Sequence, residues 1–339
     1  MKSLDAKLVQ LIQDPRDLPF LHLMLQCAVV ACCGIGLFFA KSYFWYLVPV
    51  YWVLWFAWVV DRFILMLHCT SHRMLFKKQY RALNYVIPWL LGPFFGETPE
   101  SYFVHHMGMH HPENNLEQDT SSTMRFKRDR FTHWLRYYLR FMFLGLYDLA
   151  AYHLEKGNKK MLRRLVVGEV TFWLVIGGLA YLNWQATFVV FVLPVIIVRT
   201  LMMMGNWTQH AFIDPASPEV AYRNSITCIN TRYNRRCFND GYHIHHHVKA
   251  RCHFADYPAE FEDNKEVYGR EDAVVFDGVD YFQVWLMLMV GAWKGLAKRV
   301  VQLPGAPERD EAATIAWLKS RVEPISASEL ALDGATPAE

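Results

Sequence analysis

The sequence predicts an all-α integral membrane fold: four transmembrane helices in two hairpins, with a cytosolic helical cap that carries clustered histidines. Three observations lead there. The 339 residues are 53% hydrophobic and 15% aromatic, with a mean hydropathy just above zero, which is too apolar for two average soluble domains. Four stretches, about 20–40, 43–66, 164–183 and 186–205, are long and apolar enough to cross a bilayer. The basic residues Arg73, Lys77, Lys78, Arg81, Arg125, Lys127, Arg128, Arg130, Lys156, Lys159 and Lys160 all fall between the second and third stretches.

That segregation sets an orientation. The first pair of stretches is joined near Lys41 and Ser42 and the second near Asn183, Trp184 and Gln185, so one side of the membrane sees almost no chain. The positive-inside rule then assigns the segment from 66 to 163, both termini and everything after 205 to the cytosol. A net charge of +3 is too small to point to nucleic acid. Cys27, Cys32, Cys33, Cys69, Cys228, Cys237 and Cys252 form no CxxC pair and read as reduced thiols, with neither a disulfide framework nor an iron–sulfur cluster. Residues 1–19 mix charges of both signs and lack the short apolar core of a cleaved signal, so they read as a cytosolic segment. The membrane domain occupies 20–302, and 303–339 reads as a flexible tail. Within the domain, 84–96 is apolar but short and contains Pro88, as in an interfacial or re-entrant piece. The aromatic-rich stretches 131–153 and 279–300 read as interfacial amphipathic helices.

Fifteen histidines are present, and their spacing says more than their number. They form His68-xxx-His72, His106-xxx-His110-His111, Asn206-xxx-His210 and His243-xx-His246-His247. Separations of three and four place side chains on one helix face. The second apolar stretch runs into His68 and His72, and the fourth into Asn206 and His210, so both hairpins deliver these residues to the same membrane edge. Nine imidazoles exceed the roughly four ligands of a zinc site or the six of an octahedral ion. Two metals with four or five imidazoles each fit the count, and the thiolate-free set suits iron, copper, zinc or nickel. Nearby Asp61, Glu97, Glu100, Glu113, Asn114, Asn115, Glu117, Asp119, Asn239 and Asp240 are candidates to accept the second ring N–H of a ligand.

Carrying these clusters, the sequence resembles the membrane fatty acid desaturase and hydroxylase superfamily, which has three histidine boxes on a four-helix membrane core. HCTSH at 68–72, HHMGMHH at 105–111 and HIHHH at 243–247 look like the three boxes, and NWTQH at 206–210 is similar to the additional histidine site after the fourth helix. The resemblance spans about 20–260. It implies two non-haem irons held by His68, His72, His106, His110, His111, His210, His243, His246 and His247, with Asn206 reaching the metal through water and O2 as co-substrate. The second box departs from the pattern: its HxxxHH spacing, where most fatty-acyl desaturases have HxxHH, looks more like the integral-membrane alkane hydroxylases.

Other residues take plainer readings. His105 and His245 are interleaved with better-spaced partners and read as non-ligands, and His22, His133, His153 and His253 read as surface or interfacial. A zinc-protease HExxH is excluded because Cys69 stands where the glutamate would be. The basic group Arg232, Arg235, Arg236, Lys249 and Arg251 beside the third box suits lipid headgroups, an acidic electron donor or an anionic substrate head.

The family implies a membrane di-iron oxidoreductase acting on a lipid alkyl chain. Fatty-acyl desaturation is the first expectation. Hydroxylation of an alkane or fatty acyl chain is the second, and decarboxylation of a fatty acid to a terminal alkene the third. A histidine-rich metal transporter is the rival outside enzymology, disfavoured because transporters bind their ion near the bilayer midplane. With no ferredoxin-type cysteine set and no visible haem or flavin domain, electrons are expected from a separate ferredoxin, rubredoxin or cytochrome b5 with its reductase.

Overall fold

The computed structural model describes residues 2–325. They fall into two compact units, one drawn from residues 2–108 and 153–199, the other from 109–152 and 200–325.

In the first unit Asp14 accepts the Arg16 N–H at 2.9 Å and Pro15 opens the turn that starts the first long helix. That helical run, Pro15–Leu37, is the first of three long and apolar enough to cross a membrane; the others are Lys41–His72 and Lys159–Gln209. The second run keeps Pro49 inside it and loosens into a π-turn at Trp55–Val59, which turns the Trp55 indole so that its N–H donates to the Phe94 carbonyl at 2.9 Å. Phe63, one helical stretch later, stacks on Phe95 with ring centroids 4.7 Å apart. The run stops after His72, where Arg73 turns extended. The exit is fastened to the N-terminal segment by two backbone bonds of 2.9 Å, Gln13 N–H to Leu75 O and Lys77 N–H to Leu11 O.

The stretch 84–96 is a series of short helical turns, Val86–Leu91 wide and Gly92–Phe95 tight. It then reverses at Gly96, whose φ of +79° only glycine adopts freely and whose missing Cβ would stand 2.3 Å from the Pro194 carbonyl oxygen. Gly168 serves the same passage from the other side, since a Cβ there would lie 1.9 Å from Pro99 O. Glu100 sits at φ +69° without being glycine. It is held there by the Trp89 indole N–H and the Arg164 Nε–H, each at 2.7 Å. This pinned turn immediately precedes the helix Ser101–His105 and the π-turn His106–His110.

Three candidate spans among the described residues, not four, correct the fold expected from the sequence. The stretches 164–183 and 186–205 lie in one helical run of 51 residues, Lys159–Gln209. Neither Gly nor Pro stands between Tyr181 and Phe188 to end a helix. Asn183 departs from helical angles (φ −157°, ψ 91°), yet its side-chain carbonyl accepts the Ala186 N–H at 3.1 Å and its main-chain carbonyl accepts the Thr187 hydroxyl at 2.8 Å. The helix restarts at once, and the second hairpin of the sequence reading becomes one kinked run. The chain is nonetheless a multi-pass integral membrane protein.

The second unit also departs slightly from an all-helical plan. Ile226–Ile229 and Val274–Asp277 pair in parallel, Ile226 against Val274 through Ile229 against Asp277. Parallel strands require a crossover connection, and here it contains the helices His243–Val248, Tyr257–Asp263 and Lys265–Arg270, so the third histidine cluster is carried within it. Alternating Ile226, Cys228, Val274 and Phe276 pack with Phe212, Val284, Leu288, Leu318 and Val322 in one buried cluster. Arg128 is completely buried and donates to six main-chain carbonyls, those of Thr123, Met124, Phe126, Ala211, Arg321 and Glu323, at 2.7–3.2 Å. Burial lowers its pKa to about 9, which leaves it charged at neutral pH. One cation thereby fastens the segment after the second histidine cluster to the end of the Lys159–Gln209 run and to the chain following the helix Glu311–Ser320. Residues 326–339 of the expected tail lie outside the described residues.

Candidate metal centre

In the first unit the four-residue spacing on a helix puts His68 and His72 on one face, with ring centroids 5.3 Å apart. His106, delivered by the pinned turn at Glu100, meets them with centroid distances of 4.6 and 4.9 Å. The His72 and His106 Nε2 atoms stand 2.9 Å apart, and one ring nitrogen of each of the three lies within 4.8 Å of the others.

In the second unit His110, His210, His243 and His247 bring one ring nitrogen each to within 4.8 Å of one another. His110 comes from the end of the π-turn, His210 follows the last turn of Leu193–Gln209, and His243 and His247 are one turn apart in the helix His243–Val248. The His243 Nε2 stands 3.3 Å from His210 Nε2 and 3.0 Å from His247 Nε2. His111 and His246 in the same unit bring their Nε2 atoms to 2.9 Å.

The outward nitrogens explain the inward ones. His210 Nδ1 lies 3.0 Å from the Asn224 main-chain carbonyl, an acceptor only, so Nδ1 carries the proton and Nε2 presents a lone pair. His110 Nδ1 lies 2.7 Å from the Asp119 carboxylate, and the same argument applies. Asp119 is itself fixed, its other oxygen accepting the Ser121 N–H at 2.8 Å and the Ser121 hydroxyl at 2.6 Å. Burial, then the neighbouring His110, pushes the His210 pKa down to about 3. Burial and the surrounding imidazoles drive His247 well below its ordinary value. His210 and His247 therefore stay neutral, and the Nε2 lone pairs fixed on His110 and His210 face into the pocket. That arrangement repels itself and fits a cation, and the all-nitrogen donors with carboxylate and carbonyl supports are those of a transition-metal site.

Asn206 lies one turn before His210. Its amide donates to the Tyr137 hydroxyl at 2.7 Å and to the Ser121 carbonyl at 3.2 Å, which joins it through Ser121 to Asp119. Among the candidate supports, Asp119 meets an imidazole, whereas Glu100 holds Arg164 and Trp89, and Glu113 accepts the Tyr152 hydroxyl at 2.5 Å. Asn224 and Tyr257, whose hydroxyl is 3.2 Å from His246 Nδ1, escaped the sequence reading because no motif marks them. His22 is exposed, as expected, beside Asp5 at 2.8 Å. His153 and His253 are buried rather than superficial. His153 Nε2 lies 3.3 Å from Val104 O, and Gly108 passes so close that a Cβ there would lie 3.0 Å from the ring.

Replacing Asp119 by alanine frees the His110 tautomer and is expected to weaken metal binding about 10- to 100-fold, measured by metal retention against a chelator, while His22→Ala leaves it unchanged. The His210 shift also has a sign. Its folded pKa of about 3 lies below the ordinary value of about 6.5, so the unfolded chain binds the extra proton. Stability is full above about pH 6.5 and is lost as pH falls toward 3. Thermal unfolding of the metal-free protein in detergent should show a falling midpoint across that window, and His210→Gln should flatten it.

No curated protein and no solved structure matched the chain. A sequence profile described as fatty acid desaturase matches residues 43–278, well over half of the 339 residues. The matched region contains all nine histidines of the clusters. By the order of those clusters, the ring nitrogens they gather and the extent of the match, the chain belongs to the fatty acid desaturase family.

Proposed function

We propose that the protein is a membrane non-haem di-iron oxidoreductase that uses O2 to desaturate a fatty acyl chain. The observation that supports this most is the tetrad of His110, His210, His243 and His247, whose ring nitrogens converge while Asp119 and the Asn224 carbonyl hold the opposite ring nitrogens of His110 and His210. In this reading those four serve one iron of the pair. Reduced iron with O2 furnishes an oxidant able to take hydrogen from an unactivated C–H bond, which no side chain does alone.

The chain's own residues position and exclude. Asp119, Ser121 and Asn224 fix ligand tautomers before metal arrives, so little reorganisation accompanies binding. Asn206 uses its amide N–H groups on Tyr137 and Ser121 and offers its carbonyl oxygen to a water. Trp207, Phe126 and Tyr137 pack beside it and keep bulk solvent away from one flank. The cytosolic placement of the histidine clusters rests on the positive-inside pattern. Electrons come from a separate donor of the ferredoxin, rubredoxin or cytochrome b5 type with its reductase.

The HxxxHH spacing favours a second reading, hydroxylation of an alkane or acyl chain. The five residues His106–His110 form a π-turn, a local widening that accommodates one extra residue and often marks functional sites. The extra residue is thus absorbed by backbone geometry at the very place where ligands diverge.

Membranes containing the protein, supplied with donor and O2 and analysed by mass spectrometry, are expected to yield a mono-unsaturated acyl product two hydrogens lighter than its precursor. A product heavier by one oxygen would replace the first reading with the second. No oxidised product from fatty acids, acyl thioesters, acyl lipids or alkanes would end both.

A further inference from the structure

On the helix His243–Val248, His243, His246 and His247 belong to the clusters described above, while His245 projects elsewhere. It is almost entirely buried, and its Nε2 has no hydrogen-bond partner among the described residues. A buried imidazole nitrogen without a partner loses the free energy of at least one hydrogen bond. Around it stand Cys252, in the turn after the helix, and Glu260, in the helix Tyr257–Asp263. One donor atom from each of the three lies within 4.8 Å of the others, and the Glu260 carboxylate oxygen is 3.9 Å from His245 Nε2.

We propose that His245, Cys252 and Glu260 form a third metal site, separate from the nine-histidine centre and selective for a zinc-class divalent ion. Nitrogen, sulfur and oxygen donors together suit zinc, with bonds of roughly 2.0–2.3 Å, and three protein ligands leave a fourth position to water. Two such ligands of one tetrahedral ion stand roughly 3.3–3.6 Å apart, so the 3.9 Å between Glu260 and His245 Nε2 closes by a few tenths of an ångström, and the remaining pairs, within 4.8 Å, close by at most about 1.5 Å. The electron and proton balance is simple. His245 gives the Nε2 lone pair and keeps its proton on Nδ1, the Cys252 thiol releases one proton to solvent and binds as thiolate, and Glu260 binds as carboxylate.

Glu260 is held in this structure by the Lys249 ammonium, 2.6 Å away. Lys249 is half exposed and Glu260 about one-third exposed, so the ammonium is a removable competitor for the carboxylate that a dication would take. The consequence is local bracing. A metal here ties the helix bearing His243, His246 and His247 to the helix bearing Tyr257, which meets His246 Nδ1.

The test is cobalt titration of the iron-loaded protein, in which the histidine clusters are already filled. Co2+ is expected to produce a near-ultraviolet sulfur-to-cobalt charge-transfer band at one equivalent per chain, displaced by Zn2+. Cys252→Ser should abolish the band with iron content unchanged, Glu260→Gln should weaken cobalt binding at least about tenfold, and Lys249→Gln should tighten it. No thiolate band in the wild type, a band that persists in Cys252→Ser, or an affinity unchanged in both Glu260→Gln and Lys249→Gln would each overturn the proposal.

Discussion

The structure depends on holding several imidazole lone pairs toward one another, an arrangement that a protein does not adopt for its own stability. In the tetrad three Nε2 atoms approach to 3.0 and 3.3 Å, and two of the four histidines have their protons committed outward, His110 to Asp119 and His210 to Asn224. Water or a protein donor between them would relieve the repulsion only in part. A dication relieves it fully, which is why the supports around the ligands are built as rigidly as the ligands themselves.

Those supports reach well beyond the pocket. Asp119 is set by Ser121, Ser121 accepts from Asn206 and Tyr137 at its carbonyl, and the Thr123 hydroxyl bonds the His210 carbonyl at 2.6 Å. Arg128 then gathers the carbonyls of Thr123 and Ala211 with those of Arg321 and Glu323. A guanidinium buried this deeply is tolerated because all its hydrogens find oxygen. The sequence placed Arg128 among the surface cations that orient the chain in the membrane, yet the structure uses it as an internal tie.

Much of the site was legible in the sequence because helix periodicity turns spacings of three and four into shared faces. His68 with His72 and His243 with His247 follow from that alone, and His210 follows from a helix reaching the membrane edge. What was not legible comes from tertiary contact. Asn224 meets His210 across a separation of fourteen residues, and Asp119 was one of ten candidates until the fold chose it. His153 and His253 looked superficial because a lone histidine carries no sign of the packing around it. The membrane topology was misread for a related reason: hydropathy sees Asn183, Trp184 and Gln185 as a break, whereas the side chain of Asn183 and the hydroxyl of Thr187 satisfy the backbone there and the helical run continues.

The claim at the centre of this account is that the nine histidines hold two irons in a site without sulfur. Elemental analysis of the purified protein combined with X-ray absorption at the iron edge tests it directly. The account predicts about two tightly held irons per chain, with nitrogen and oxygen neighbours only. Weakly bound, exchangeable zinc in place of iron, or sulfur in the iron shell, would contradict it.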